Sequence, residues 1–144
     1  MILAVLDANI IVSAILAPTG PPGQVLGAWR DERFSLVTAP AILDEIERVL
    51  KYPKIAAHHG LPADRVRALA TELAYFSLVT PGRLRLDVVR DDPTDNRYLE
   101  AAVEAEAGYI VSGDWLLLAL TSYEGIEILT PRQFLGVLPE SRDD

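Results

Sequence analysis

Four short apolar runs, each closed by a polar residue and a helix-starting signal, divide this chain into repeated strand-then-helix units. Ile2–Leu6 ends in Asp7, Phe34–Val37 runs into Thr38-Ala39-Pro40, Tyr109–Ser112 into Gly113-Asp114, and Ile126–Leu129 into Thr130-Pro131. Runs so short and so continuously apolar suit strands buried on both faces. Strands separated by helices require crossovers, so the pattern predicts an α/β fold with a central parallel sheet flanked by helices.

The helices follow from periodicity and punctuation. Residues 10–16 and 24–30 read as helical around the Pro18–Gly23 breaker. Pro40 opens a helix in which Ile42, Leu43, Ile46, Val49 and Leu50 make one apolar stripe. Val66, Leu69, Leu73 and Phe76 line a helix over Ala63–Phe76. Further helices are expected over Thr94–Ala107, ended by Gly108, over Trp115–Leu120, and from Pro131. Leu84, Leu86 and Val88 alternate with polar residues, which predicts a short edge strand or an extended link. His58 and His59 precede Gly60 and predict a surface turn rather than a zinc site, because adjacent residues do not share a helical face. Trp29, Tyr75, Phe76 and Trp115 are candidates for an exposed apolar contact, although aromatics at helical spacing also serve cores.

With 144 residues, the chain holds one domain, expected over residues 1–138 with a flexible tail at 139–144. The absence of cysteine excludes disulfides, thiol catalysis and cysteine-bound zinc or iron–sulfur clusters. No apolar run is long enough to span a bilayer, and no basic segment precedes the first one, so a cytoplasmic location is expected. A net charge of −8 argues against loose binding to nucleic acid, which depends on phosphate neutralisation by Lys and Arg. Local neutralisation remains open, either by a divalent metal or by basic groups such as Arg48, Lys51 and Lys54 or Arg83, Arg85 and Arg90. There is no Walker A loop, Gly-x-Gly-x-x-Gly turn or Gly-x-Ser-x-Gly elbow.

Acidic residues stand at the punctuation points. Asp7 and Asp114 follow strands, Asp91, Asp92 and Asp95 crowd the segment before a helix, and Glu45 lies on the margin of an apolar helical stripe. Helix capping explains Asp7, Asp92 or Asp114 one at a time, and Asp95 suits the positive end of a helix dipole. Capping explains three acids in five residues poorly, because each charge opposes ionisation of the next. Glu45 is beyond its reach; pairing with an arginine or snorkelling to solvent is its local alternative. Strand ends and helix starts share one edge of an open α/β sheet, where binding crevices form. Carboxylates gathered there suit a hard divalent cation, Mg²⁺ or Mn²⁺.

In order and spacing, Asp7-Ala-Asn9, Glu45 after Thr38-Ala-Pro40, Asp92-Pro-Thr-Asp-Asn96 before Ala101-Ala102, Val111-Ser-Gly-Asp114 and Ile128-Leu-Thr-Pro-Arg-Gln-Phe134 closely resemble the PIN-domain family. The likeness extends over essentially the whole chain and is greatest to the VapC-related toxin components of toxin–antitoxin systems. It implies a Rossmann-like sandwich and a metal-dependent ribonuclease. The implied metal-binding and catalytic quartet is Asp7, Glu45, Asp95 and Asp114, with Asn9, Ser13 and Asp92 accessory. It also implies an RNA substrate, an antitoxin protein that places a basic side chain in the acidic site, and a homodimer. Water activated by the metal would attack an RNA phosphodiester, leaving a 5′-phosphate and a 3′-hydroxyl.

One position departs from the family pattern. Many relatives carry a further acid two residues after the final aspartate, whereas this chain has Leu116, which puts a second metal position in question. A catalytically weakened PIN domain that binds RNA or a protein is the alternative. A receiver-like domain would need an acidic pair after strand one and a Lys near the last strand, and a haloacid-dehalogenase-like phosphatase would need Asp-x-Asp where Asp7-Ala-Asn9 stands.

Overall fold

The computed structural model describes residues 1–139, so the expected tail beyond Pro139 lies outside the described residues. The elements in chain order are β1 (Leu3–Leu6), α1 (Ala8–Leu16), α2 (Pro21–Arg30), β2 (Ser35–Thr38), α3 (Pro40–Leu50), α4 (Pro53–His59), α5 (Ala63–Tyr75) and β3 (Leu78–Val79). A 3₁₀ turn (Pro93–Asp95) then leads into α6 (Asn96–Ala105), β4 (Tyr109–Val111), α7 (Trp115–Leu118), β5 (Ser122–Tyr123), β6 (Ile126–Leu129) and α8 (Pro131–Val137).

The strands form a six-stranded sheet in the order β3-β2-β1-β4-β6-β5, parallel throughout except for the β5–β6 hairpin. The α/β fold is thus a mostly parallel sheet flanked by helices. From β1 the chain moves to one side through β2 and β3, then returns to lay β4 on the other side of β1. The β1–β4 boundary is therefore the topological switch point, where helices diverge and leave a crevice beyond the strand ends.

Ala4, Val5, Ile110 and Val111 are fully enclosed at the sheet centre. Phe34, just before β2, meets Phe134 of α8 edge-on with ring centroids 5.0 Å apart, and Tyr109 adds a second edge contact at 5.8 Å. These rings tie the closing helix to the sheet, a contact class worth about 0.5–1.5 kcal/mol beyond area burial.

Several elements depart from expectation. α2 starts at Pro21 rather than residue 24, because proline fits a helix's first turn. Gly23 allows this close entry: a Cβ there would lie 2.0 Å from the Pro18 carbonyl oxygen. The expected turn at His58-His59 is instead the end of α4, started by Pro53 and stopped by Gly60 at φ 66°. His59 serves the backbone there: its Nδ1 accepts from Leu61 N–H at 2.8 Å, and its Nε2 lies 2.8 Å from the Leu50 carbonyl. α6 ends at Ala105, with Glu106 rather than Gly108 supplying the left-handed residue.

The segment with Leu84, Leu86 and Val88 is an extended link outside the sheet, whereas β3 and β5 are two-residue strands too short to show periodicity. Among the described residues no single helix is long and apolar enough to cross a membrane. α1 and α2, long and apolar enough only when taken together, are bent by 101° and supply core residues such as Ile11 and Val25.

Candidate metal centre

Register brings Asp7 toward Asp114. Leu6 of β1 pairs with Val111 of β4, so the next residues, Asp7 and Ser112, leave the sheet side by side. Ser112 Oγ donates to Asp7 Oδ2 at 2.7 Å and accepts the Asp114 backbone N–H at 2.9 Å, linking the two strand ends. The other Asp7 oxygen, Oδ1, accepts the Asn9 N–H at 3.0 Å and so caps α1. Asp7 is only 2% exposed. Burial raises its pKa against the lowering effect of these hydrogen bonds, and the Glu45 charge adds to the rise.

Asp92, Asp95 and Asp114 converge at the same edge. Each offers a carboxylate oxygen, and the three oxygens lie within 4.8 Å of one another. Two of these acids also do local work: Asp92 Oδ1 accepts from Thr94 Oγ1 at 2.6 Å, and Asp114 Oδ1 accepts the Leu116 N–H at 2.9 Å. Asp95 does none. It precedes α6 without a side-chain capping bond, is 6% exposed, and its Oδ2 is buried with no hydrogen-bond partner among the described residues. Burial first, then the adjoining Asp114 carboxylate and the charges of Asp92 and Asp7, push the Asp95 pKa up to about 8.

An acid so disfavoured as an anion, with an unused oxygen and two carboxylates beside it, fits a divalent cation. Ligand oxygens at about 2.0–2.6 Å from one ion stand no more than about 5 Å apart, which the 4.8 Å spread satisfies. Asp92, expected as accessory, is thus a member of the closest cluster.

Glu45 lies outside that trio, on α3. Its Oε2 accepts from Tyr98 Oη at 2.7 Å and pairs with Arg97 Nη1 at 3.2 Å; Arg48 approaches its other oxygen at 3.9 Å. The sequence leaves Glu45 in need of a partner, and Arg97 is that partner. Tyr98 connects it to the centre, because Tyr98 Oη also accepts the Ala8 N–H at 3.3 Å. Burial, followed by the charges of Asp7 and Glu45, raises the Tyr98 pKa and keeps its proton on the phenol. Arg97 further binds the Thr94 and Ala41 carbonyls, fastening the 3₁₀ turn to α3.

Asn9 is exposed and Ser13 half-buried, and their side chains make no hydrogen bond among the described residues. Both line an open cavity with Asp114.

Ser112, Tyr98 and Arg97 were not singled out from sequence. Ser112 ends an apolar run, so its meaning appears only once β4 is set beside β1. Tyr98 looks like one more apolar residue in a helical stripe.

The chain is similar over nearly its full length to an uncharacterized protein of the archaeon Methanocaldococcus jannaschii, with 28% identity over 142 residues, 93% of this chain and 90% of that protein. A family model for the PIN domain matches residues 4–115. That match starts in β1, ends just past Asp114 and takes in every acid described above, so the chain belongs to the PIN-domain family.

Proposed function

We propose that this protein is a metal-dependent ribonuclease that hydrolyses RNA phosphodiester bonds. Membership in a family of nucleases supports the reaction class. The observation that carries the reading is the buried, unpartnered oxygen of Asp95 beside Asp92 and Asp114. Asp92, Asp95 and Asp114 would hold Mg²⁺ or Mn²⁺, with Asp7 adjoining them and Glu45 completing the acidic set.

When bound, such a cation lowers the pKa of a water and offsets charge on phosphoryl oxygens. The protein's part is to hold the acids still. Ser112 and the Asn9 N–H orient Asp7, and Tyr98 and Arg97 fix Glu45. Asn9 and Ser13 are free to bind water or substrate at the rim.

The same reading makes the protein a cytoplasmic toxin of a toxin–antitoxin pair, restrained by an antitoxin whose basic side chain would occupy the acidic site. A homodimer belongs to this reading as well. The exposed Tyr75 and Phe76, with the exposed Leu78 and Val79 of edge strand β3, supply apolar surface for a protein contact.

A second reading, a domain that binds RNA but cuts weakly, is supported by Leu116, which packs against the core and supplies no ligand. Incubation of RNA with Mn²⁺ and analysis of the ends separates the two. Hydrolysis predicts 5′-phosphate and 3′-hydroxyl ends and loss of cleavage in Asp7→Asn. A 2′,3′-cyclic phosphate would refute the metal-water route, whereas RNA binding without cleavage favours the second reading.

A further inference from the structure

The acidic centre opens on one side into a cavity of about 670 Å³ whose walls come from α1, the start of α2 and the turn between β6 and α8. Its polar lining has two signs. Asp114 stands at the metal centre, while Asn9, Ser13 and Arg132 line the remainder. Arg132 is exposed and makes no ion pair or hydrogen bond among the described residues. Other cations near the centre are engaged: Arg97 is held by Glu45 and two carbonyls, and Arg85 by the carbonyls of Gly82 and Leu84. In a chain of net charge −8, an uncommitted guanidinium in the same cavity as a metal-site acid provides local complementarity to phosphate.

An aromatic side chain adjoins Asp114, outside the cavity's own lining. Trp115 follows Asp114 directly and is 71% exposed, although indole is among the side chains that gain most from cover. The cavity's apolar lining, Ile10 with Pro21 and Pro22, offers no further charge to repel a nucleotide. A cation for the backbone and an aromatic platform for bases are the two components of single-strand recognition.

We infer that this cavity, continued past Asp114 to Trp115, is the binding path of the single-stranded RNA segment flanking the scissile phosphate, with Arg132 on a backbone phosphate and Trp115 stacking against a base. The inference rests on the ribonuclease reading and adds the path of the substrate. Asn9 and Ser13 then contribute a free amide and a free hydroxyl to the sugar–phosphate chain between the metal centre and Arg132.

The test is cleavage of a fluorescein-labelled single-stranded RNA with Mn²⁺, together with equilibrium binding of that RNA in an Asp7→Asn background. Parent, Arg132→Ala, Arg132→Lys, Trp115→Ala and a remote exposed control, Arg65→Ala, are compared over a range of salt. Arg132→Ala should raise KM roughly fivefold or more with kcat nearly unchanged, and should reduce the slope of log affinity against log salt by about 0.7, the share of one single-strand phosphate contact. Arg132→Lys should restore most of the slope. Trp115→Ala should weaken binding roughly fivefold or more without changing the slope, and Arg65→Ala should match the parent. If the parent cuts RNA and neither Arg132→Ala nor Trp115→Ala alters KM or binding, the groove assignment is wrong while the nuclease reading stands. A parent that neither cuts nor binds RNA overturns the nuclease reading and this site with it.

Discussion

At the scale of single residues, Asp95 carries the argument that Glu45 was expected to carry. From sequence, Glu45 was the acid that helix capping could not explain; in the fold it has Arg97 and Tyr98, whereas the buried Asp95 oxygen has nothing. Asp92 and Asp114 cap local structure through Oδ1 alone, so capping leaves each a second oxygen for a cation, whereas both Asp7 oxygens accept hydrogen bonds. An ionised Asp95 opposes folding, and Asp95→Asn should therefore raise the melting temperature of the metal-free protein near neutral pH while removing its stabilisation by Mn²⁺. Thermal scans with chelator and with Mn²⁺ would show this; a lower melting temperature in chelator would contradict the assigned strain. Tyr98→Phe removes the acceptor of the buried Ala8 N–H and the donor to Glu45. It should cost about 1–3 kcal/mol in urea denaturation. The positions of the acids were legible because strand ends and helix starts have recognisable signals. Their partners were not, because Ser112 reaches Asp7 across a strand pairing and Tyr98 reaches Glu45 across two helices, relations that local periodicity does not encode.

At the scale of elements, the extended link before the 3₁₀ turn has no strand neighbour among the described residues. α6 holds it instead, through residues four apart on a single helical face. Asn96 Oδ1 accepts the Val88 and Val89 N–H groups, Glu100 the Leu86 N–H, and Glu104 those of Gly82, Arg83 and Leu84. Side chains thus substitute for a strand ladder, and the alternation of Leu84, Leu86 and Val88 survives without a sheet. Burial acts to raise the Glu104 pKa, but the Arg83, Leu84 and Gly82 backbone donors hold it below the usual carboxylate value. The link leads into Asp91-Asp92, so its attachment positions the acidic segment that ends at Asp95. Asn96→Ala should destabilise the fold by about 2 kcal/mol or more and accelerate amide exchange at Val88 and Val89. Unchanged exchange at those amides would show that another element holds the link. The hairpin carrying β5 turns at Glu124-Gly125, whose φ values of 47° and 84° match a tight two-residue turn, but Glu-Gly is not one of the strong hairpin dipeptides and the sequence did not show it. β3 had no signal either, because two residues carry no period. Helix starts at Pro40 and Pro131 were legible, proline being tolerated in a helix's first turn; those at Pro21 and Pro53 were not, because Pro21 stands in a Pro/Gly cluster that reads as a breaker and the short α4 buries no residue.

At the scale of the whole molecule, strand order turns scattered acids into one centre. β1 lies between β2 and β4, so residues 7, 92, 95 and 114 meet at a single switch point although they span most of the chain. The alternation of strands and helices revealed the layers; the order of strands required the long-range pairings. Concentrated charge there links stability to pH. The folded-state pKa of Asp95 is raised from 3.8 to about 8, and that of Asp7 is raised as well. Both groups therefore contribute stability that is fully present below the unfolded pKa and is lost as pH rises through the folded one. Apart from other titrations, the metal-free protein should lose stability from about pH 4 to about pH 8 through these acids, and Mn²⁺ should restore more at about pH 8 than at about pH 5. A wild-type decline equal to that of Asp95→Asn would show that Asp95 is not responsible. The central claim is that Asp92, Asp95 and Asp114 form a metal centre, and calorimetric titration of Mn²⁺ into the parent and Asp95→Asn proteins at neutral pH tests it most directly. Saturable binding by the parent that weakens at least tenfold in Asp95→Asn is the predicted result; equal affinity in the two proteins, or no binding by the parent, would contradict it.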